Sequence, residues 1–527
     1  MASTAEYVQP VPEVSPWLIA GTVIMATFME VLDTSVANVS LPHIAGNLSA
    51  SVDESTWVLT SYLVSNAIVL PLTGWLSTLF GRKRFFLACI VMFTLSSLLC
   101  GLAPSLPLLV LFRVMQGAGG GGLQPISQAI LVDSFPRDKQ GMAMAIYGMG
   151  VVVAPTIGPT LGGWITDSYS WRWIFFLNVP VGIVAVMMTS ILIVDPPQTV
   201  RKTFREGLKI DFIGLGLLSV GLGFLQVVLD KGERDDWFGS RFILWATVLA
   251  IVALIAAVFW ELHTEHPVID LHLLKDRNFL VSTFMMYVLG VVMYGTTVLL
   301  PILLQTLMGY TAEKSGIVLL PGGLVLLALL PFVGMLLGRV EPRWAVVFGL
   351  LMMAIGLYDL SHFTLQTGIG TAVNDWIVSR AGTAFLFVPI NVMAFSFVPP
   401  PKINSATGFI NLARNVGGST GISFVTTMLD RRAQFHQSVL SGNIQNGNFD
   451  FQMALHRITH VLMARGLSAP HALHEAYGLI YAQVQRQAMM LSFVDNFWLM
   501  SMICIAVIPL LFIMKKPKPR AERVPVH

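Results

Sequence analysis

The chain has 527 residues, of which 55% are hydrophobic and only 12% charged, with a formal net charge of +3. Soluble domains carry about 25% charged residues, so a fully water-covered surface is excluded for a chain of this size. So small a net charge, with no basic-aromatic patch, gives no reason to expect nucleic acid as a partner.

The first sixteen residues are polar and carry Glu6 and Glu13 but no Lys or Arg. They lack the basic region and small-residue cleavage site of a secretory signal, so the first apolar helix is expected to stay in place. Beyond them the apolar residues form long runs, such as 85–102 and 244–260, rather than narrow stripes. About 20 such residues cross the roughly 30 Å hydrocarbon core with every backbone polar group satisfied inside the helix. Hydropathy broken at Gly, Pro and charge predicts fourteen spans: 17–41, 56–80, 84–104, 107–132, 141–165, 174–194, 211–230, 242–261, 280–305, 315–338, 344–362, 376–398, 404–429 and 491–514. Cys89, Cys100 and Cys504 all fall inside apolar runs and have neither disulfide nor metal-ligand spacing.

Orientation follows from Lys and Arg, which favour cytoplasmic loops. One set of loops and the C-terminal tail hold Arg82, Lys83, Arg84, Arg137, Lys139, Arg201, Lys202, Arg205, Lys209, Lys275, Arg277, Arg339, Arg343, Lys402, Lys515, Lys516, Lys518, Arg520 and Arg523. The other short loops hold only Arg172, Lys231, Arg234, Arg241 and Lys314. This bias predicts both termini in the cytoplasm. Residues 430–490, on the opposite face, read as a soluble helical hairpin with Leu455, Ile458, Val461 and Leu462 on one side, serving as a lid or as a docking surface.

Three charges stand inside the predicted spans: Glu30 and Asp33 in the first and Arg113 in the fourth. Ionisable residues at membrane depth face a cavity or a partner and mark function. Glu30 and Asp33, three apart, share a helix face. At 1.5 Å per residue they lie about 20 and 24 Å from the cytoplasmic end, and Arg113, on an oppositely running helix, about 21 Å. All three reach one depth and predict a buried carboxylate–guanidinium cluster, whose proton occupancy can change as its surroundings change; the alternative is a static ion pair fixing two helices. Arg414, near mid-depth of the thirteenth span, is a candidate counterpart, with Asn38 and Gln116 beside it as candidate cavity residues. Asp359 and Arg380 are expected near the outer interface as anchors. The glycine run 117–122 lacks the Lys-Ser/Thr of a phosphate loop, and no residues suit ATP hydrolysis. His456 and His460, four apart with His471 and His474 nearby, have the spacing for adventitious zinc binding but lack the metalloprotease glutamate. Neither a Ser/His pair nor a two-aspartate protease motif occurs at matching depth, so an intramembrane enzyme or receptor is a remote reading.

Several stretches resemble the major facilitator superfamily, in particular its fourteen-span drug:proton antiporters of the EmrB type. LDTSVANVSLPHI at 32–44 is similar to the first-helix signature, whose acidic residue maps to Asp33. LFRVMQGAGGGG at 111–122 resembles the fourth-helix motif, whose proton-transfer arginine maps to Arg113. GMGVVVAPTIGPTLGGWI at 148–165 matches the fifth-helix antiporter motif at Pro155, Gly158, Pro159, Gly162 and Gly163. WRWIFFLNVPVG at 171–182 also resembles the EmrB type. GWLSTLFGRKR at 74–84 resembles the loop motif between the second and third helices, with Gly74, Gly81, Arg82, Lys83 and Arg84, but Thr78 replaces its usual aspartate and Leu79 a common arginine.

The resemblance implies an all-α major facilitator fold. A cytoplasmic tail (1–16) would precede a six-helix bundle (17–200), two additional helices (201–265), a second six-helix bundle (266–514, including 430–490) and a cytoplasmic tail (515–527). It implies proton-coupled export of amphipathic drugs across the inner membrane, with no cofactor beyond the proton gradient and with Asp33, Glu30 and Arg113 coupling. Partners would be a periplasmic membrane-fusion adaptor of the EmrA type and an outer-membrane channel. An alternative cargo, set by Arg113 and Arg414, is a fatty acid, siderophore or other anionic metabolite.

Overall fold

The computed structural model describes residues 15–136, 139–194, 211–265, 267–399, 402–442, 444–445 and 448–515. Arg137, the cations at 201–209, residues 1–14 and 516–527 of the tails expected at 1–16 and 515–527, and the first part of the 201–265 segment lie outside the described residues. The described elements are helical. They are α1 (Pro16–Asn47), α2 (Trp57–Phe80), α3 (Arg82–Leu102), α4 (Leu106–Ser134), α5 (Gln140–Ser168), α6 (Trp173–Leu192), α7 (Phe212–Lys231), α8 (Arg241–His263), α9 (Arg277–Leu307), α10 (Ala312–Leu336), α11 (Pro342–Leu360), α12 (Ile369–Phe395), α13 (Ile403–Ser441), α14 (Phe449–Ala464) and α15 (Ala469–Ala506).

Twelve of these are long and apolar enough to cross a membrane, and the bent α5 makes a thirteenth. The span expected at 404–429 lies on α13, which carries Asn404, Asn411, Arg414 and Asn415 and packs between α9, α15 and α2. A helix that turns polar groups toward other protein helices rather than lipid loses hydropathy without losing its place in the bundle.

Helices α1–α6 pack mainly on one another, as do α9–α13 with α15; α2 against α13 and α5 against α10 join the two groups. The pair α7–α8 leans on both groups, through α2 and α13. Lipid-facing surface is plain in α8, whose Trp245, Ile251, Val252 and Phe259 are all exposed.

Backbone proximity is set by glycine where helices cross. A Cβ at Gly117 would stand 2.3 Å from the Tyr62 carbonyl oxygen, and one at Gly121 would stand 2.8 Å from that of Asn66, so glycine lets the α4 backbone rest directly against α2 at these two turns.

The helical hairpin expected at 430–490 is continuous with the membrane helices. α13 runs on to Ser441 and α15 begins at Ala469, so the two membrane helices project as long arms with α14 laid on α15. Leu455 and Leu462 are buried there with Phe451, Ala472 and Ala476, and Ile458 packs against them. Val461, expected on that face, is exposed. Asp495 ties the arms together, accepting from Arg432 Nε at 2.6 Å and lying 2.7 Å from His436 Nε2.

Candidate functional site

The helical register of α1 turns Glu30 and Asp33 inward, each only 3% exposed. A buried carboxylate persists only with donors around it, and both have them. Asp33 Oδ2 accepts from Arg113 Nη1 at 2.5 Å, and its Oδ1 accepts from Gln116 Nε2 at 3.0 Å and from Asn178 Nδ2 at 2.7 Å. Arg113 is fully buried; it also donates to the Val58 carbonyl at 2.9 Å and to Gln116 Oε1 at 2.8 Å. Its Nη2 has no hydrogen-bond partner among the described residues, but its guanidinium lies over the Tyr62 ring at 4.3 Å and nearer the edge of reach of Phe175 at 5.6 Å. Such faces attract a desolvated cation.

Glu30 has its own set of donors. Its Oε1 accepts from Tyr62 Oη at 3.1 Å and Asn66 Nδ2 at 3.3 Å, and its Oε2 from Gln124 Nε2 at 2.5 Å. Tyr62 thus bridges the two carboxylate sites, its ring under Arg113 and its hydroxyl on Glu30. Arg414, 1% exposed on α13, reaches the same network by donating to Gln124 Oε1. The structure therefore brings Glu30, Asp33, Arg113, Gln116 and Arg414 into one polar core, spanning α1, α2, α4, α6 and α13. Asn38 is exposed and takes no part in it.

Arg380, expected as an interface anchor, is instead 5% exposed within the bundle. It lies 3.7 Å over the Trp376 ring and donates to the hydroxyls of Thr296 and Thr297 at 3.2 and 2.9 Å. The helix starts at Ile369 rather than 376, which carries Arg380 deeper than hydropathy placed it. Asp359 is exposed near the end of α11.

The antiporter-motif residues face α1. α5 bends by 44° between its two halves, 140–155 and 157–168. Pro159 has no N–H to give the Pro155 carbonyl four residues back, and Ser35 of α1 donates there instead at 3.2 Å. A Cβ at Gly158 would meet Ser35 Oγ at 2.3 Å, and one at Gly162 would meet Val36 Cγ1 at 2.8 Å, whereas at Gly163 the nearest atom is 3.8 Å away. The bend and the glycines thus press α5 onto the turn of α1 that follows Asp33.

In the loop motif Gly81 takes φ 84°, a left-handed conformation that glycine adopts without strain. It ends α2 and starts α3, placing Arg82, largely buried, in an ion pair with Asp133 at the end of α4. Lys83 Nζ donates to the Ser190 carbonyl at 2.6 Å. Gly74 lets α2 approach Ser405 of α13, where a Cβ would stand 2.8 Å from the Ser405 Cα. Thr78, in the usual aspartate position, donates to its own helix at Gly74 and makes no ion pair.

Sequence reading missed Tyr62, Asn66, Gln124 and Asn178, and the layer Gln128–Asn391–Asn411–Tyr147. Each is an uncharged polar residue buried in an apolar helix; counting amides in spans, rather than charges alone, would have raised them.

Against known proteins, the Major Facilitator Superfamily family model matches residues 23–422. The multidrug export protein EmrB of Escherichia coli K12 is 37% identical over 497 residues, covering 94% of each chain. EmrB of Haemophilus influenzae is 36% identical over 520 residues, 98% of this chain and 99% of that one. The fatty acid resistance protein FarB of Neisseria gonorrhoeae is 36% identical over 493 residues, 94% and 95% of the two chains. Among solved structures, the proton:xylose symporter XylE superposes with a TM-score of 0.58 at 15% identity over 94% of this chain and 95% of that one. The human organic anion transporter MFSD10 gives 0.57 at 12% over 93% and 100%. Helix order, buried charge and sequence kinship agree that this chain is a multi-pass membrane protein belonging to the major facilitator superfamily.

Proposed function

We propose that this protein is a proton-coupled exporter of amphipathic, drug-like molecules. The observation that carries this reading is the pair of buried carboxylates on α1, each held by hydrogen-bond donors, with one guanidinium on Asp33 and a second joined to Glu30 through a single amide. A carboxylate in such a site can trade its proton for a cationic cargo, because either neutralises the same charge. Kinship with EmrB proteins at 36–37% identity over nearly the whole chain supports drug export as the use of that exchange.

In this reading the face carrying Ser15 and Lys515 is cytoplasmic, in keeping with its excess of Lys and Arg. The protein sits in the inner membrane, and Asp33, Glu30 and Arg113 handle the proton. The arms formed by α13, α14 and α15 stand on the periplasmic side as the contact for a membrane-fusion adaptor of the EmrA type, itself joined to an outer-membrane channel. Pro155, Gly158, Pro159 and Gly162 form the pivot between α5 and α1, with Gly163 beside it in looser contact, and Arg414 and Gln116 border the cargo cavity with Asn38 at its open side. No chemical change in the cargo is required.

A second reading, in which the cargo is a fatty acid or similar anion, is favoured by Arg380. That guanidinium is buried without an ion pair among the described residues and has an unpartnered Nε. Kinship to FarB supports it too. Purified protein in proteoliposomes with an imposed proton gradient tests both. Uptake of a lipophilic cationic dye that collapses with the gradient supports drug export. Uptake confined to long-chain carboxylates moves the function to the second reading, and chemical conversion of either probe rejects both.

A further inference from the structure

Two layers of hydrogen bonds join the helix groups below the carboxylate site, and both rest on α4. Gln124 and Gln128 lie four apart, one turn, on the same face. Gln124 Oε1 accepts from Arg414 of α13. Gln128 donates to Asn391 Oδ1 of α12 and accepts from Asn411 Nδ2 of α13 at 2.7 Å, while Tyr147 of α5 donates to Asn411 Oδ1 at 3.1 Å. Gln124 is 7% exposed and the other five no more than 1%. These contacts, with Gly141 against Gly334 near the termini's face, must part if the helix groups separate there.

Gln124 differs from the rest in holding a charge at each end. Its amide N–H bonds Glu30 Oε2 at 2.5 Å while its carbonyl takes Arg414. A primary amide has donors on one side and an acceptor on the other, so an anion and a cation together fix its orientation, and each bond polarises the other. We propose that Gln124 is a positioning residue that converts proton occupancy of Glu30 into opening of the termini's face. With Glu30 ionised, the amide is aligned and Arg414 is held to α4. When Glu30 takes a proton from water on the arm side, it becomes a neutral, weaker acceptor. The amide loses its anchor, and on α4 Arg414 keeps a free-turning dipole against its charge. The latch between α4 and α13 then loosens, and the face opens to load cargo, which drives the proton off Glu30.

The groups facing Glu30 are consistent with this assignment. They are Asp33 on its own helix, Tyr62 and Asn66 on α2, Gln124 on α4, Tyr147 on α5, Tyr294 on α9 and Arg414 on α13, with Arg113 behind the Tyr62 ring. Arg414 is the one cation from the second helix group among them, and Gln124 is its hydrogen-bonded route to Glu30.

The inference rests on the proton-coupled reading above. Spin labels at Phe80→Cys and Phe397→Cys, both exposed and on opposite helix groups near the termini's face, report the separation in full-length protein in lipid nanodiscs, with the three native cysteines replaced. The unmodified pair is expected to shift toward longer distances from alkaline to acidic pH. Gln124→Met, close in shape but without the amide, should shrink the pH-driven change in the open-to-closed ratio about tenfold or more, as loss of a charge-assisted hydrogen bond implies. Gln124→Asn, too short to reach both charges, should do the same and serves if the Met variant does not fold. An undiminished shift in a folded Gln124 variant that is nevertheless lost in Glu30→Gln overturns the link through Gln124 alone. A shift that survives Glu30→Gln, or is absent from the unmodified pair, overturns the link together with proton coupling at Glu30.

Discussion

Replacing Asp33 by asparagine tests the coupling site most directly, because shape is kept while charge is removed. In the structure the carboxylate accepts three hydrogen bonds, from Arg113, Gln116 and Asn178. An asparagine has a single acceptor atom, so its NH2 must face at least one of these donors, and Arg113 is left as a buried cation with no carboxylate. Breaking one side of a buried ion pair destabilises by about 3–5 kcal/mol, a large part of the 5–15 kcal/mol typical of folded domains. Asp33→Asn should therefore lower the melting temperature in detergent markedly and abolish drug-induced proton flux in inverted vesicles read with a pH-sensitive dye. Loss of flux alone would not separate coupling from folding. The double variant Asp33→Asn/Arg113→Gln removes both charges, and coupling energies of contacting pairs, roughly 0.5–3 kcal/mol, predict that it recovers much of the lost stability. Flux should stay absent. Proton flux at the unmodified level in either variant would refute the assignment of Asp33 to coupling.

Three further outcomes are expected. Gly158→Ala places its Cβ against Ser35 and should lower stability by about 1–3 kcal/mol and suppress transport, while Gly163→Ala, with 3.8 Å of clearance, should match the unmodified protein in both assays. Arg82→Gln ends the pair with Asp133 and should cost about 1–3 kcal/mol, read as a lower midpoint in thermal unfolding; an unchanged midpoint would show that this pair does not hold α3 to α4. Replacing α14, residues 449–464, with a short Gly-Ser linker removes the satellite core on α15 and should reduce drug resistance in cells while sparing transport in proteoliposomes. Equal loss in both assays would make the arm a lid and not an adaptor contact.

What the sequence determined by itself is the bilayer as solvent, because unbroken apolar runs have no other physical home. It also determined the common depth of Glu30, Asp33 and Arg113, since helical rise converts residue number into depth without any knowledge of packing. The motif residues of α5 were legible because proline and glycine act through backbone geometry. Tertiary structure alone decided which uncharged side chains meet the charges. Gln124, Asn178 and Tyr62 are ordinary polar residues in their own helices, and only the rotation of those helices about their axes points them at a carboxylate. Rotation is fixed by side-chain packing between helices distant in sequence, which hydropathy does not record. Helix length was the other unread quantity: α12 starts at Ile369, which carries Arg380 from an expected interface anchor to a buried position, and α13 and α15 run on past the bilayer, which joins the hairpin expected at 430–490 to the membrane helices as continuous arms.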